Sequence, residues 1–236
     1  MTDLAPATMW TKRYRWRKAN GITLYVDATA SRHHINELNA LGVTNAMIAD
    51  ATGRSDNNIM LIANGANPRV LVDTERRILA VTHHPHPNQT FVLGIGAQRR
   101  LRALNAIGWP TTVIAERFGI TAGALTNSVQ REHITYSRWV ELRDVYDELS
   151  GKPGPTPGLH RYFRDKPIPP LAWEGRDIDD PRAQPDWKAM GVKMQDRPVC
   201  PNGHPYRPDN VMVDNRGHRR CRTCKTASLR NRKRAA

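Results

Sequence analysis

The sequence predicts a mainly α-helical protein built from two tandem helix-turn-helix domains of three to four helices each, a proline-rich arm and a small C-terminal Cys3His zinc module. Three observations carry that expectation. The chain repeats itself, because Ile35-Asn36-Glu37-Leu38-Asn39-Ala40-Leu41-Gly42 returns 66 residues later as Leu101-Arg102-Ala103-Leu104-Asn105-Ala106-Ile107-Gly108. Inside each copy, apolar residues recur at helical steps broken by glycine. All three cysteines fall among the last 37 residues, at a spacing suited to metal ligation.

The order of segments follows from these signals. Residues 1–24 form a basic arm in which Trp10, Tyr14 and Trp16 interleave with Lys12, Arg13, Arg15, Arg17 and Lys18. Such an arm either lies along phosphates or a minor groove, or merely solubilises the chain. Residues 25–82 are the first domain. Ile35, Leu38 and Leu41 mark one helix face, Gly42 ends that helix, and Thr44 or Asn45 caps a short helix carrying Met47, Ile48 and Ala51. Gly53 stops it, and Ser55-Asp56 caps a third helix that turns Ile59 and Ile62 inward. Counting from Asn45, the small Ala49, the turn residue Gly53 and the apolar Ile59 and Ile62 take the places that a helix-turn-helix requires. A closing helix is expected over 74–81.

Residues 83–91, with His83, His84 and His86 between Pro85 and Pro87, read as a stiff linker rather than a metal site. Residues 92–150 are the second domain, repeating the pattern through Ala115, Gly119 and Leu125. There Ser128 is a weak counterpart of Ile62, and a closing helix runs over 136–149. Residues 151–198 hold nine of the 17 prolines, open as a linker at Lys152–Gly158, and include a short helix near 159–165. Trp173 and Trp187 anchor part of this arm on the second repeat, while Asp177, Asp179 and Asp180 read as a solvated acidic loop.

Residues 199–236 carry the metal signal. Cys200 and His204 precede Cys221 and Cys224 by about 16 residues, and a strand, turn and returning strand lie between the pairs. Three thiolates and one imidazole close a structural Zn2+ site with no open place for water. His218 competes with His204 for the fourth position. Arg216, Arg219, Arg220, Arg222, Lys225, Arg230, Arg232, Lys233 and Arg234 follow or interleave with no carboxylate among them.

The formal charge of +14 and pI near 10.3 favour polyanionic partners. No run approaches the ~20 apolar residues of a membrane span and no signal peptide is evident, so no membrane association and a cytoplasmic, nucleoid-associated protein are expected.

The stretch from Val26-Asp27-Ala28-Thr29 through both repeats to Pro170-Leu171-Ala172-Trp173 and Ile178-Asp179-Asp180-Pro181 resembles tandem helix-turn-helix proteins of actinobacteria and their phages. The tail, Cys200-Pro201-Asn202-Gly203-His204 with Cys221-Arg222-Thr223-Cys224, is similar to the zinc element that follows the core of phage HNH endonucleases, although the nuclease core itself is not evident. The resemblance implies a DNA-binding, regulatory role.

The expected partner is double-stranded DNA, read by one chain at an asymmetric site, with a dimer as the alternative. Base-edge candidates are Ser55, Asp56, Asn57 and Asn58 in the first copy, and Thr121, Ala122, Thr126, Asn127, Gln130 and Arg131 in the second. Phosphate anchors are Thr44, Asn45, Thr111, Thr112, Arg99, Arg100, Arg219, Arg222 and Lys225. No catalytic residue is expected. The alternatives are a divergent HNH-like DNA endonuclease and an adaptor that docks on RNA polymerase.

Overall fold

The computed structural model describes residues 9–21, 23–188, 190 and 197–234. Among them the protein is mainly helical, with ten α-helices and six strands of three residues each. The chain divides into two compact units, Met1–Leu93 and Gly94–Ala236.

In the first unit, α1 (Met9–Ala19) turns the expected basic arm into a helix, with Tyr14 and Trp16 exposed. Beyond it, β1 (Tyr25–Asp27) and β2 (Arg69–Leu71) pair antiparallel, Tyr25 opposite Leu71 and Asp27 opposite Arg69. This short ladder ties together the ends of the first repeat, which holds α2 (Thr29–Ala40), α3 (Asn45–Thr52) and α4 (Asp56–Ala63). The closing helix, α5 (Val72–Ala80), begins two residues before its expected start. The apolar periodicity finds its core: Ile35, Ile48, Ile59, Ile62 and Ile78 are fully buried. Each such side chain contributes about 1.5–3 kcal/mol. Thr44 caps α3 by accepting from the Met47 N–H at 3.3 Å, and Ser55 caps α4 by accepting from the Asn58 N–H at 3.3 Å. Between them Gly53 takes φ 67°, the left-handed conformation that ends one helix and aims the next.

Residues 83–91 are stitched to this unit and do not act as an open spacer. Gln89 is buried and donates to the Met47 carbonyl at 3.1 Å, while the Thr90 N–H donates to Asp50 at 2.9 Å. The segment leads into β3 (Phe91–Leu93).

The second unit repeats the order with α6 (Ile95–Ala106), α7 (Thr111–Glu116), α8 (Ala122–Val129), β4 (His133–Thr135) and α9 (Tyr136–Leu149). Leu104, Ile114, Leu125, Leu142 and Leu149 form its core. Gly119 adopts φ 64°, and Thr121 caps α8 by accepting from the Ala124 N–H. Ser128 does not seat the end of α8; its hydroxyl bonds back to the Leu125 carbonyl, and Val129 is buried instead.

The arm after α9 is ordered on this unit. The expected linker at 152–158 is zipped to the turn after α6, where the Gly154 N–H donates to Ile107 and the Thr156 N–H to Gly108. A side chain on Gly154 would collide with the Gly108 carbonyl. Two 3-10 turns follow, Leu159–Tyr162 and Pro170–Trp173, the first shorter than the helix expected there. Trp173 packs with Ala103 and Ile178, flanked by Tyr146 and Ile168.

The acidic loop at 177–180 is not solvated at its centre. Asp179 is buried and receives two hydrogen bonds from Arg100, at 2.6 and 2.7 Å, and one from the Trp139 indole at 2.8 Å. Arg99 lies over the Trp173 ring and donates to the carbonyls of Ile178, Asp180, Pro181 and Ala183. Both arginines hold the arm to α6.

Candidate metal centre

The four ligands converge because short elements present them on two facing turns. In the first, the Gly203 N–H donates to the Cys200 carbonyl and the Cys200 N–H to the His204 carbonyl, both at 2.9 Å. Gly203 supports this knuckle at φ 81°. The second turn joins a hairpin to a helix. β5 (Val211–Val213) pairs antiparallel with β6 (Arg219–Cys221), and α10 (Arg222–Arg234) starts at the next residue. Cys221 thus ends a strand while Cys224 sits in the first turn of a helix.

The ligand atoms of Cys200, His204, Cys221 and Cys224 all lie within 4.8 Å of one another. The Cys200 and Cys224 sulfurs are 3.7 Å apart, and His204 Nδ1 is 3.5 Å from Cys200 Sγ and 3.2 Å from Cys224 Sγ. A tetrahedral ion with metal–sulfur bonds of about 2.3 Å and metal–nitrogen bonds of about 2.0 Å requires edges of about 3.8 and 3.5 Å. The measured separations are close to those edges, and the sulfurs stand far outside the ~2.05 Å of a disulfide. The donor set therefore fits one tetrahedral metal ion. His218 is not in the cluster; its exposed ring faces Asp214, with Nδ1 at 3.5 Å.

The thiols have unlike acidities. Burial pushes Cys221 up, but hydrogen bonds from the Cys224 backbone N–H, from the Cys224 and Cys200 thiols and from Asn210 outweigh it and bring Cys221 down to about 7. Burial pushes Cys224 up, and although Asn202 pulls against it, Cys200 and Cys221 add to the rise. Cys221 is thus drawn toward its thiolate while Cys224 is held toward its thiol, and a bound cation would favour the thiolate at both.

Two asparagines surround the sulfurs, and sequence reading missed both. Asn202 Nδ2 donates to Cys224 Sγ at 3.3 Å. Asn210 donates to the Pro205 carbonyl at 2.7 Å and to Cys221 Sγ at 3.5 Å, while its side-chain oxygen accepts from the Thr223 N–H and hydroxyl. Asn210 therefore buckles the knuckle to the helix. The one sequence hint is its place just before the first strand.

The remaining candidates fall into two groups. Ser55, Asp56, Asn57, Thr121, Asn127, Gln130 and Arg131 are exposed at or near the first turns or the ends of α4 and α8, and Asn58, Ala122 and Thr126 are partly covered. Thr44 and Thr112 are exposed, while Asn45 and Thr111 are partly covered: Asn45 accepts from exposed Asn39, and Thr111 from buried Asn105. Arg99 and Arg100, expected on phosphates, turn inward as described, because buried Asp179 and the carbonyls of the arm satisfy their guanidinium groups. Arg219 stacks over Tyr206 at 4.6 Å and donates to the Arg197 carbonyl, while Arg222 and Lys225 are exposed.

Comparison with protein families, with characterised proteins and with solved structures finds no significant match to this chain.

Proposed function

We propose that this chain is a sequence-specific double-stranded DNA-binding protein, a transcriptional regulator of phage or prophage type that acts by binding, with no catalytic step. α3 with α4, and α7 with α8, are helix-turn-helix pairs, and α4 and α8 are the recognition helices. A structural Zn2+ on Cys200, His204, Cys221 and Cys224 holds the C-terminal module together.

One observation carries this reading. The two copies share a buried frame, with Ile48, Ile59 and Ile62 in one and Ile114, Leu125 and Val129 in the other, and a glycine at positive φ in each turn. On that common frame they carry unlike first turns, Asp56-Asn57 against Ala122-Gly123. Selection on fold alone has no need of that contrast; reading two different base sequences does. Asn57 and Asn127 suit adenine, and the small residues of α8 suit a thymine methyl group. A single chain then reads an asymmetric site made of two unlike half-sites.

Selection of bound DNA from a random pool by the full chain tests this. The expected product is one asymmetric motif, with Asn57→Ala relaxing one half and Asn127→Ala the other. Recovery of a palindrome, or of no motif, overturns the reading.

A further inference from the structure

We propose that the metal module carries a groove for the phosphate backbone of double-stranded DNA, with Arg222, Thr226 and Arg230 on one wall and Arg207 on the other. This rests on the reading that the chain binds DNA, and it locates where the electrostatic grip resides.

The distribution of charge points to the module. Residues 23–150, which contain both repeats, hold twelve arginines, no lysine and twelve carboxylates, so they carry no net charge. Residues 199–236 hold ten cations and two carboxylates, more than half of the chain's +14. Non-specific affinity for duplex DNA comes from cations that displace condensed counterions, so neutral repeats contribute little of it.

The structure then sorts the module's cations. Arg219 is held against the Tyr206 ring and the Arg197 carbonyl, and Arg220 pairs with Asp214 at 3.1 Å. These two are engaged within the module through their guanidinium groups, whereas Arg222 uses only its Nε, at 3.4 Å from the Val211 carbonyl. Arg207, Arg222 and Arg230 are exposed and line one open groove, in which Asp209 is the sole carboxylate. Positions 222, 226 and 230 recur every fourth residue and so share one face of α10. From Arg222 to Arg230 that face rises about 12 Å, long enough to reach more than one phosphate of a strand whose charges recur every ~3.4 Å along the duplex axis. Thr226 adds a hydroxyl donor between the two guanidinium groups. The opposite wall belongs to the knuckle segment, which is joined to α10 through Asn210 and the ligand cluster. The metal therefore keeps the two walls in register.

The test uses the full, zinc-loaded chain and a random-sequence 20-base-pair duplex, with binding followed by fluorescence anisotropy across a potassium chloride series. At about 0.9 in log K against log salt per phosphate contact, R222Q/R230Q should lower the slope by about 2 and R207Q by about 1. R219Q/R220Q removes the same charge as the first pair and should leave the slope within about 0.5 of wild type. Zinc content measured on each variant should stay at one ion per chain. Equal slope losses in the two double variants would show bulk charge without a groove and overturn the proposal, as would an unchanged slope in R222Q/R230Q. R207Q, which touches no hairpin contact, decides the matter if R219Q/R220Q loses its zinc. Failure of the wild-type chain to bind any duplex at low salt overturns the DNA reading itself. Wild-type binding with unaltered variant slopes overturns the groove alone.

Discussion

Replacing Asp179 by alanine should destabilise the second unit more than any surface change. The Arg100 and Asp179 side chains are 7% and 9% exposed, and the carboxylate receives two charge-assisted bonds and the Trp139 indole N–H. Removing it strands a buried cation, which costs about 3–5 kcal/mol, and leaves an indole donor worth about 1–3 kcal/mol unsatisfied. These overlap, so a loss of about 4 kcal/mol is expected. With a urea dependence of about 2 kcal/mol per molar, the midpoint should fall by about 2 M. Urea titration followed by tryptophan fluorescence suits the measurement, because the buried Trp139 donates to Asp179 and lies against Arg100. The double variant R100M/D179L removes both charges, and since replacing a buried pair by apolar residues is often neutral, it should recover most of the loss. A D179A midpoint that corresponds to less than 1 kcal/mol would refute the assignment of this pair as the anchor of the arm.

Three further outcomes are expected. Asn210→Ala should weaken metal binding about 10–100-fold in a competitive chelator titration with added Zn2+, because it removes a sulfur hydrogen bond and the buckle between the two ligand turns. Gly119→Ala should destabilise by about 1–2 kcal/mol from backbone strain alone, since its φ is 64° and no atom lies within 4 Å of the added methyl; calorimetry of the variant measures it. The His218 backbone N–H, followed by those of Arg216 and the Arg220 side chain, holds the Asp214 carboxyl at about 2, below its ordinary 3.8. The hairpin turn is then fully supported above pH 3.8 and loses that support as pH falls through 2. Asp214→Asn should therefore loosen the turn at neutral pH, read as faster hydrogen exchange of the Arg216 and His218 amides than in the wild-type chain.

The parts of the molecule that were legible in the sequence are those with local or periodic signals. Ile35, Ile59 and Ile62 announce their burial by helical spacing, Gly53 and Gly119 their turns by their place between two short helices, and Cys200, His204, Cys221 and Cys224 their convergence by paired spacing. The three-residue strands are too short to show alternation, so β1 and β2 escaped notice. The arm was misread for a different reason. Arg100 and Asp179 stand 79 residues apart, and a polar pair at that range leaves no period in the chain. Each side chain, read alone, belongs on the surface; only their meeting makes burial favourable. The same holds for Gln89, whose polar side chain gave no hint that it would be buried against the Met47 carbonyl of α3.

The copies also record separate histories in one position. Gly96 of α6 corresponds, 66 residues earlier, to Ala30 of α2. A methyl group at Gly96 would strike the Asp179 carboxylate, whereas Ala30 is exposed. The places of Arg99 and Arg100 are likewise held by His33 and His34 in the first copy. A chimaera with the first repeat transplanted into the second position would thus lack the guanidinium contacts that hold residues 178–183. The duplicated frame is shared in outline, but the second copy also serves as the mounting for the arm that follows it.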